Sequence, residues 1–262
     1  MNVMDLLSLR GKTAIVTGGA GRYGKQIVSG LAEAGATVYV ASRNLEACEA
    51  FAGQLREASF DVRAARLDLG SEESMHALVD KVVGETGRLD ILVNNAVTRS
   101  ACNGWTSPLK AYDDSLHINA SAMFYLTNLA SEEMKKRRSG SIINIGSMMG
   151  LVGIEMANYR GTDMGGNPSP IYFYEKGGIV NFTRWAASIL GKFNIRVNAI
   201  HPGGLMEGHL PEAFVTNYSE RTQLGRLAGP DDLKGIVVYL ASDASAYVTG
   251  TNIPVDGGYT AK

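Results

Sequence analysis

The stretch SPIYFYEKGG, residues 169–178, carries two tyrosines and a lysine at spacings that matter chemically. Tyr172 stands four residues before Lys176, and Tyr174 two before it. Residues four apart on a helix share a face, so Tyr172 and Lys176 point the same way. A free tyrosine, with a pKa of about 10, is a poor base at neutral pH. A neighbouring ammonium favours the phenolate and lowers that value. Such a pair can take a proton from an alcohol, or return one to a carbonyl. The competing reading is a packed aromatic turn at a helix start. Tyr174, out of phase with the lysine, suits packing or a pocket wall.

The elements that must hold this pair follow a steady rhythm. Strand patterns occur at 12–18, 37–42, 61–69, 89–96, 140–147, 195–200 and 251–256. Between them lie helical patterns at 23–35, 45–59, 71–87 (opening on Ser71), about 112–138, after Pro170, and about 230–241. Near-continuous apolar strands alternating with helices predict βαβ units and a parallel sheet covered on both faces. No linker, charge block or low-complexity segment divides residues 1–262. The expected architecture is therefore α/β, a single doubly wound Rossmann-like domain.

TGGAGRYG, residues 17–24, joins the first strand to the first helix, and Gly19, Gly21 and Gly24 fit G-x-G-x-x-G. Glycines there allow a tight turn, approach of a pyrophosphate to the backbone, and close helix–strand contact. The helix start adds free N–H groups and a positive dipole end. A ligand-free glycine turn is the plainer alternative. The second strand ends in Ser42 and Arg43 rather than in an acid. An acid would repel a 2′-phosphate, whereas a hydroxyl and an arginine welcome it, and Arg22 adds charge. NADP is therefore expected ahead of NAD. Asp68 is either an acceptor for the adenine amino group or a cap for the next helix. The asparagines of NNA (94–96) sit at the carboxyl edge of a buried strand, where ligands bind in such sheets.

Taken in order, TGGAGRYG, LDILVNNA, HINAS, SIINIGS, Tyr172-x-x-x-Lys176, IRVNAIHPGG and YVTGTNIPVDGGY resemble the short-chain dehydrogenase/reductase family over essentially the whole chain. The resemblance implies a sheet of about seven strands and NAD(P)-dependent transfer of a hydride to or from a secondary alcohol or ketone. Within that family Tyr172 matches the catalytic tyrosine and Lys176 its lysine, which also holds the nicotinamide ribose. Ser147 matches the serine that orients substrate, and Asn119 the asparagine that supports a proton-relay water. For the cofactor it implies Gly18, Gly21, Arg22, Tyr23 and Gly24 of the turn, then Ser42, Arg43, Asp68 and Leu69. It continues with Asn95 and Ala96, with Tyr172 and Lys176, and with Pro202, Gly203 and Leu205.

The chain departs from the family pattern in four places. Arg22 stands where the family often has glycine, Val97 follows NNA, and Glu207 replaces a frequent threonine. Ser147 and Tyr172 are 25 positions apart, where the family usually has about a dozen residues between them. The extra segment, within 150–170, reads as a polar loop over the site. Residues 203–227 read as a substrate lid. Candidate pocket residues are Arg99, Tyr159, Arg160, Asp163, Asn167, His201 and His209. Their polarity suggests a sugar, sugar acid or polyol. A non-catalytic NAD(P)-binding sensor or scaffold is one alternative. A sugar-nucleotide epimerase or dehydratase is another, although VDGGY leaves no room for a further substrate domain.

Bulk properties narrow the partners. A formal charge of −1 gives no electrostatic case for nucleic acid or an acidic membrane surface. No run of 18 apolar residues and no signal peptide are present, so a cytoplasmic protein is expected. Cys48 and Cys102 read as reduced thiols, and the four histidines lack ligand spacing, so no metal is expected. Apolar faces on INASAMFYLTNLASEEM and GGIVNFTRWAASIL suggest burial between subunits, and the family resemblance implies a homotetramer.

Overall fold

The computed structural model describes residues 2–99, 104–164 and 169–261, so Cys102 and Asn167 lie outside the described residues. Seven parallel strands form one sheet in the order β3-β2-β1-β4-β5-β6-β7. They are β1 Thr13–Thr17, β2 Thr37–Ser42, β3 Val62–Arg66, β4 Ile91–Asn94, β5 Gly140–Ile145, β6 Ile195–Pro202 and β7 Asn252–Val255. The order reverses between β1 and β4, which are paired through Val16 and Val93. Such a reversal opens a crevice at the carboxyl ends of the strands.

The helices are α1 Val3–Leu7, α2 Arg22–Glu33, α3 Leu45–Glu57, α4 Glu72–Thr86, α5 Leu109–Leu116, α6 Ala122–Arg137, α7 Pro170–Leu190, α8 Glu212–Arg221 and α9 Lys234–Ala241. Strand side chains alternate between the two faces of the sheet. Ala14 and Val16 of β1 join Ile27 and Leu31 of α2, Phe51 of α3 and Val237 of α9 in one core. Ile15 points the other way, into a core with Leu78 of α4, Leu126 of α6 and Ala186 of α7. With both faces covered, β1 and β4 are buried along their whole length, which explains their unbroken apolar sequences.

The structure corrects several sequence expectations. The helix expected at about 112–138 is not continuous. It runs as α5, a π-helical turn at His117–Ser121, and α6. Single π turns occur inside α-helices, frequently at functional sites, and this one carries Asn119. Residues before β1 form α1, capped by Asn2, rather than leading straight into the strand. The last helix begins at Lys234, because Asp232 binds Gly229 and Arg226 and holds the preceding residues in a turn. Ser71 caps α4 through the Ser74 amide, while Asp68 accepts from Gly70, so Asp68 is not that cap. No helix of the described residues is long and apolar enough to cross a membrane.

Candidate functional site

A cleft of about 960 Å³ opens at the carboxyl ends of the strands. Its floor is the turn between β1 and α2. Gly18 has φ +63°, a backbone region that favours glycine, and a Cβ on it would stand 3.0 Å from Ala96 Cα. A Cβ on Gly24 would stand 2.3 Å from the Gly18 carbonyl oxygen. Gly21 sits at the cap of α2 with no side-chain cap bond. The first-turn residues Arg22, Tyr23 and Gly24 line the cleft. Uncapped N–H groups at a positive helix end, in a cradle that side chains would fill, suit the pyrophosphate of a dinucleotide. Asn95 fastens the turn from below, its amide donating to the Thr17 and Gly18 carbonyls at 2.9 and 3.1 Å.

Beyond the turn, Ser42, Arg43, Asp68 and Leu69 line one end of the cleft, and Ala96, Pro202, Gly203 and Leu205 line its other side. The Ser42 hydroxyl contacts buried Cys48 at 3.1 Å and the Asn44 carbonyl. Arg43 is exposed at the rim. The Tyr23 hydroxyl donates to the Gly203 carbonyl at 2.9 Å, bridging the two sides. Arg22 forms an ion pair with Glu207 at 3.1 Å, so the two departures from the family pattern compensate each other across the cleft.

Tyr172 and Lys176 project from the first turns of α7 into the same cleft. Ser147, at the end of β5, lines it beside them. Burial alone would raise the Tyr172 pKa. The charges of Lys176 and Arg99, with a hydrogen bond from Ser147, outweigh burial and hold the phenol below its ordinary value. Arg99, on the loop after β4, donates to the Tyr172 hydroxyl at 2.8 Å, and its guanidinium lies 4.5 Å from the ring centre. Lys176 is buried and donates to the Ile145 carbonyl at 2.8 Å. Its burial, together with Arg99, pulls the ammonium below its usual range, against the opposing pull of Tyr172 and Glu175. Tyr174, expected to pack or line the pocket, is 71% exposed and does neither.

Asn119 is buried and lies behind the cleft wall rather than in it. Its amide donates to the Thr98 carbonyl, Ser115 Oγ and Glu175 Oε2, and its oxygen accepts from the Thr98 amide. These bonds tie the π turn to the loop after β4, to α5 and to α7. Sequence reasoning missed Glu175, a buried carboxylate adjoining Lys176. A glutamate in a helix reads as a solvated face, and only the crossing of α5 over α7 reveals its partners.

Residues 155–160 of the extra segment fold against α8 and Tyr259 rather than standing as an open loop. Asn158 is 1% exposed and donates to the Tyr259 hydroxyl at 2.7 Å. Asn217 of α8 donates to the Arg160 carbonyl, and Arg221 pairs with Glu155. Met148, Phe214, Tyr218, Leu227 and Tyr259 form a small separate core, with Tyr159 and Met164 packed on it. Tyr159 lines the cleft. Arg160 and Asp163 are exposed, and His209 is 71% exposed near Glu207, so none of the three lines the cleft. His201 is fully buried, with Nδ1 on the Ser147 backbone and Nε2 on Asn252, so it shapes the strand end and does not face substrate.

A family model described as enoyl-(acyl carrier protein) reductase matches residues 22–260. Cyclopentanol dehydrogenase of a Comamonas species is 33% identical over 255 residues, covering 95% of this chain and 97% of its own length. The 2-dehydro-3-deoxy-D-gluconate 5-dehydrogenase of Escherichia coli is 33% identical over 266 residues, covering 99% and 100%. Among solved structures, a gluconate 5-dehydrogenase from Burkholderia cenocepacia, in complex with NADP and tartrate, superposes with a TM-score of 0.87 at 27% identity over the whole of both chains. The ordered motifs, the seven-stranded sheet, the tyrosine–lysine helix and these likenesses converge: the chain belongs to the short-chain dehydrogenase/reductase family, whose members are NAD(P)-dependent oxidoreductases acting on CH–OH groups.

Proposed function

We propose that this protein interconverts a secondary alcohol and a ketone of a polar small molecule, a sugar acid first, with a sugar or polyol next, and prefers NADP to NAD. The nicotinamide cofactor would accept or supply the hydride. In this reading the chain's own residues govern the proton and the geometry. Tyr172 takes the proton from the substrate hydroxyl in oxidation and gives it back in reduction. Lys176 favours the phenolate and holds the nicotinamide ribose. Ser147 fixes the substrate oxygen. Asn119 supports the proton relay by position, since its side chain is bonded to protein groups. The turn residues Gly18 and Gly21–Gly24 would take the pyrophosphate, and Ser42 with Arg43 the adenosine end.

The observation that carries the substrate class is Arg99, a positive charge at 2.8 Å from the Tyr172 hydroxyl. A carboxylate near the reacting carbon would meet it there. The names of the gluconate-type relative and of the neighbour solved with tartrate agree with that chemistry. A second reading, a compact apolar alcohol, is favoured by Met148, Met149, Ile154, Met164 and Phe214 on the cleft wall, and by the cyclopentanol relative. Steady-state assays with gluconate and cyclopentanol, each with NADP and NAD, separate the two. Higher kcat/KM for gluconate, lost in Arg99→Gln, supports the acid reading. Higher kcat/KM for cyclopentanol overturns it. We further propose a cytoplasmic homotetramer, with 203–227 acting as the substrate lid.

A further inference from the structure

Glu175 and Lys176 are consecutive on α7 and are 5% and 6% exposed. Burying either charge alone is costly unless an opposite charge or hydrogen bonds compensate. Both oxygens of Glu175 act as acceptors: Oε1 takes the Ser115 hydroxyl at 2.7 Å and Oε2 the Asn119 amide at 2.8 Å. Ser115 Oγ in turn accepts from Asn119 at 3.2 Å, which closes a ring of three side chains from α5, the π turn and α7. A carboxyl whose two oxygens both accept is arranged as the ionised form. It therefore places a fixed negative charge beside the buried ammonium without touching it. The other groups facing Lys176 are Tyr172 from its own helix and Arg99 from the loop after β4. From the sheet side comes the Ile145 carbonyl, which accepts from Lys176 at 2.8 Å. Arg99 works against the charge on Lys176, and Tyr172 and, to a smaller extent, Glu175 favour it.

We propose that Glu175 is a positioning residue for this site: its buried carboxylate is the counter-charge that keeps Lys176 an ammonium. The proposal rests on the reading that Lys176 holds the nicotinamide ribose and activates Tyr172. Lys176 acts in both roles only while protonated, so removing the neighbouring negative charge narrows the working range from the alkaline side.

Affinity for NADPH, or for NADH if that binds more tightly, measured by nicotinamide fluorescence from pH 7 to pH 11, tests this without a substrate. In the wild type, affinity falls where Lys176 loses its proton. Glu175→Gln keeps the shape and removes the charge, and its midpoint falls by about one pH unit, making binding roughly tenfold weaker on that limb. Glu175→Asp keeps the charge and the wild-type midpoint. Lys176→Met loses the inflection. If the wild type shows no inflection, or Lys176→Met retains it, the reading of Lys176 fails. If Lys176→Met loses it while Glu175→Gln keeps the wild-type midpoint, the Glu175 proposal alone is overturned. Should Glu175→Gln not fold, Glu175→Ser takes its place. Failure of both to fold makes Glu175 a residue of the fold and also overturns the proposal.

Discussion

At the level of single residues, the proposed chemistry depends on how cheaply Tyr172 loses a proton. Two cations face it, Lys176 and Arg99, and both stabilise the phenolate more than the phenol. The pH dependence follows with a definite sign. Alcohol oxidation needs the phenolate, so its rate rises as pH passes through the Tyr172 pKa, which lies below the ordinary tyrosine value. Arg99→Gln removes one stabilising charge and moves that rise to higher pH, as a kcat/KM profile in the oxidation direction will record. Tyr172→Phe removes the proton carrier and keeps the ring, so kcat drops by about 10²–10⁴-fold. The cofactor dissociation constant stays near that of the wild type. A Tyr172→Phe enzyme with full turnover would reassign the proton transfer to another group. The spacing of Tyr172 and Lys176 made this pair legible in the sequence. The Arg99 contact was not, because a loop arginine's target depends on the path of the chain after β4.

At the level of elements, the strands were readable because each is buried from both sides and its sequence shows it. The glycine turn was readable for a different reason: its backbone leaves no room for side chains. Gly24→Ala would push a methyl group to 2.3 Å from the Gly18 carbonyl oxygen, so the turn must open. The expected result is loss of nicotinamide-cofactor binding in a fluorescence titration, with a lowered melting temperature. The 150–170 segment was legible as an insertion but not as a folded one. Asn158, Tyr159 and Met164 within it pack with α8 and Tyr259 rather than against the sheet, so no strand or helix period marks them. The π turn was hidden likewise, since the partners of its Asn119, Thr98 and Glu175, lie on other elements. Asn158→Ala tests whether the insertion is a structural part of the site. It leaves the buried face of the Tyr259 hydroxyl without its partner, at a cost of about 1–3 kcal/mol. Thermal unfolding should show the loss, and KM for the best alcohol substrate should rise because Tyr159 shares the same small core.

At the level of the whole molecule, the remaining question is what covers the outer faces of α6 and α7. Their inner faces pack on the sheet, yet Phe124 is 45% exposed and Trp185 59% exposed. These are not scattered apolar residues. Phe124 lies 4.5 Å from Phe182 between ring centres, and Phe182 stacks on Trp185 at 6.0 Å, with Ile189 also exposed on the same helix. A contiguous aromatic patch of this kind on a globular chain marks an association surface. Most homo-oligomers close by symmetry, so in the proposed assembly this patch on a pair of long helices would meet its own copy. The proposed tetramer needs a second interface besides this one, and for it light scattering at micromolar concentration is expected to give four copies of the 28.0 kDa chain. Trp185→Glu puts a charge in the centre of the patch, where an unpaired buried carboxylate is strongly disfavoured. It should reduce the mass to a dimer or monomer while far-UV circular dichroism stays unchanged. A wild-type monomer at that concentration would refute the tetramer, and an unchanged mass in Trp185→Glu would place the interface elsewhere. Helix α7 carries Tyr172 and Lys176 at its start and Trp185 further along. Association would thus hold that helix from outside, and the dissociated variant should lose activity in proportion to the fraction dissociated.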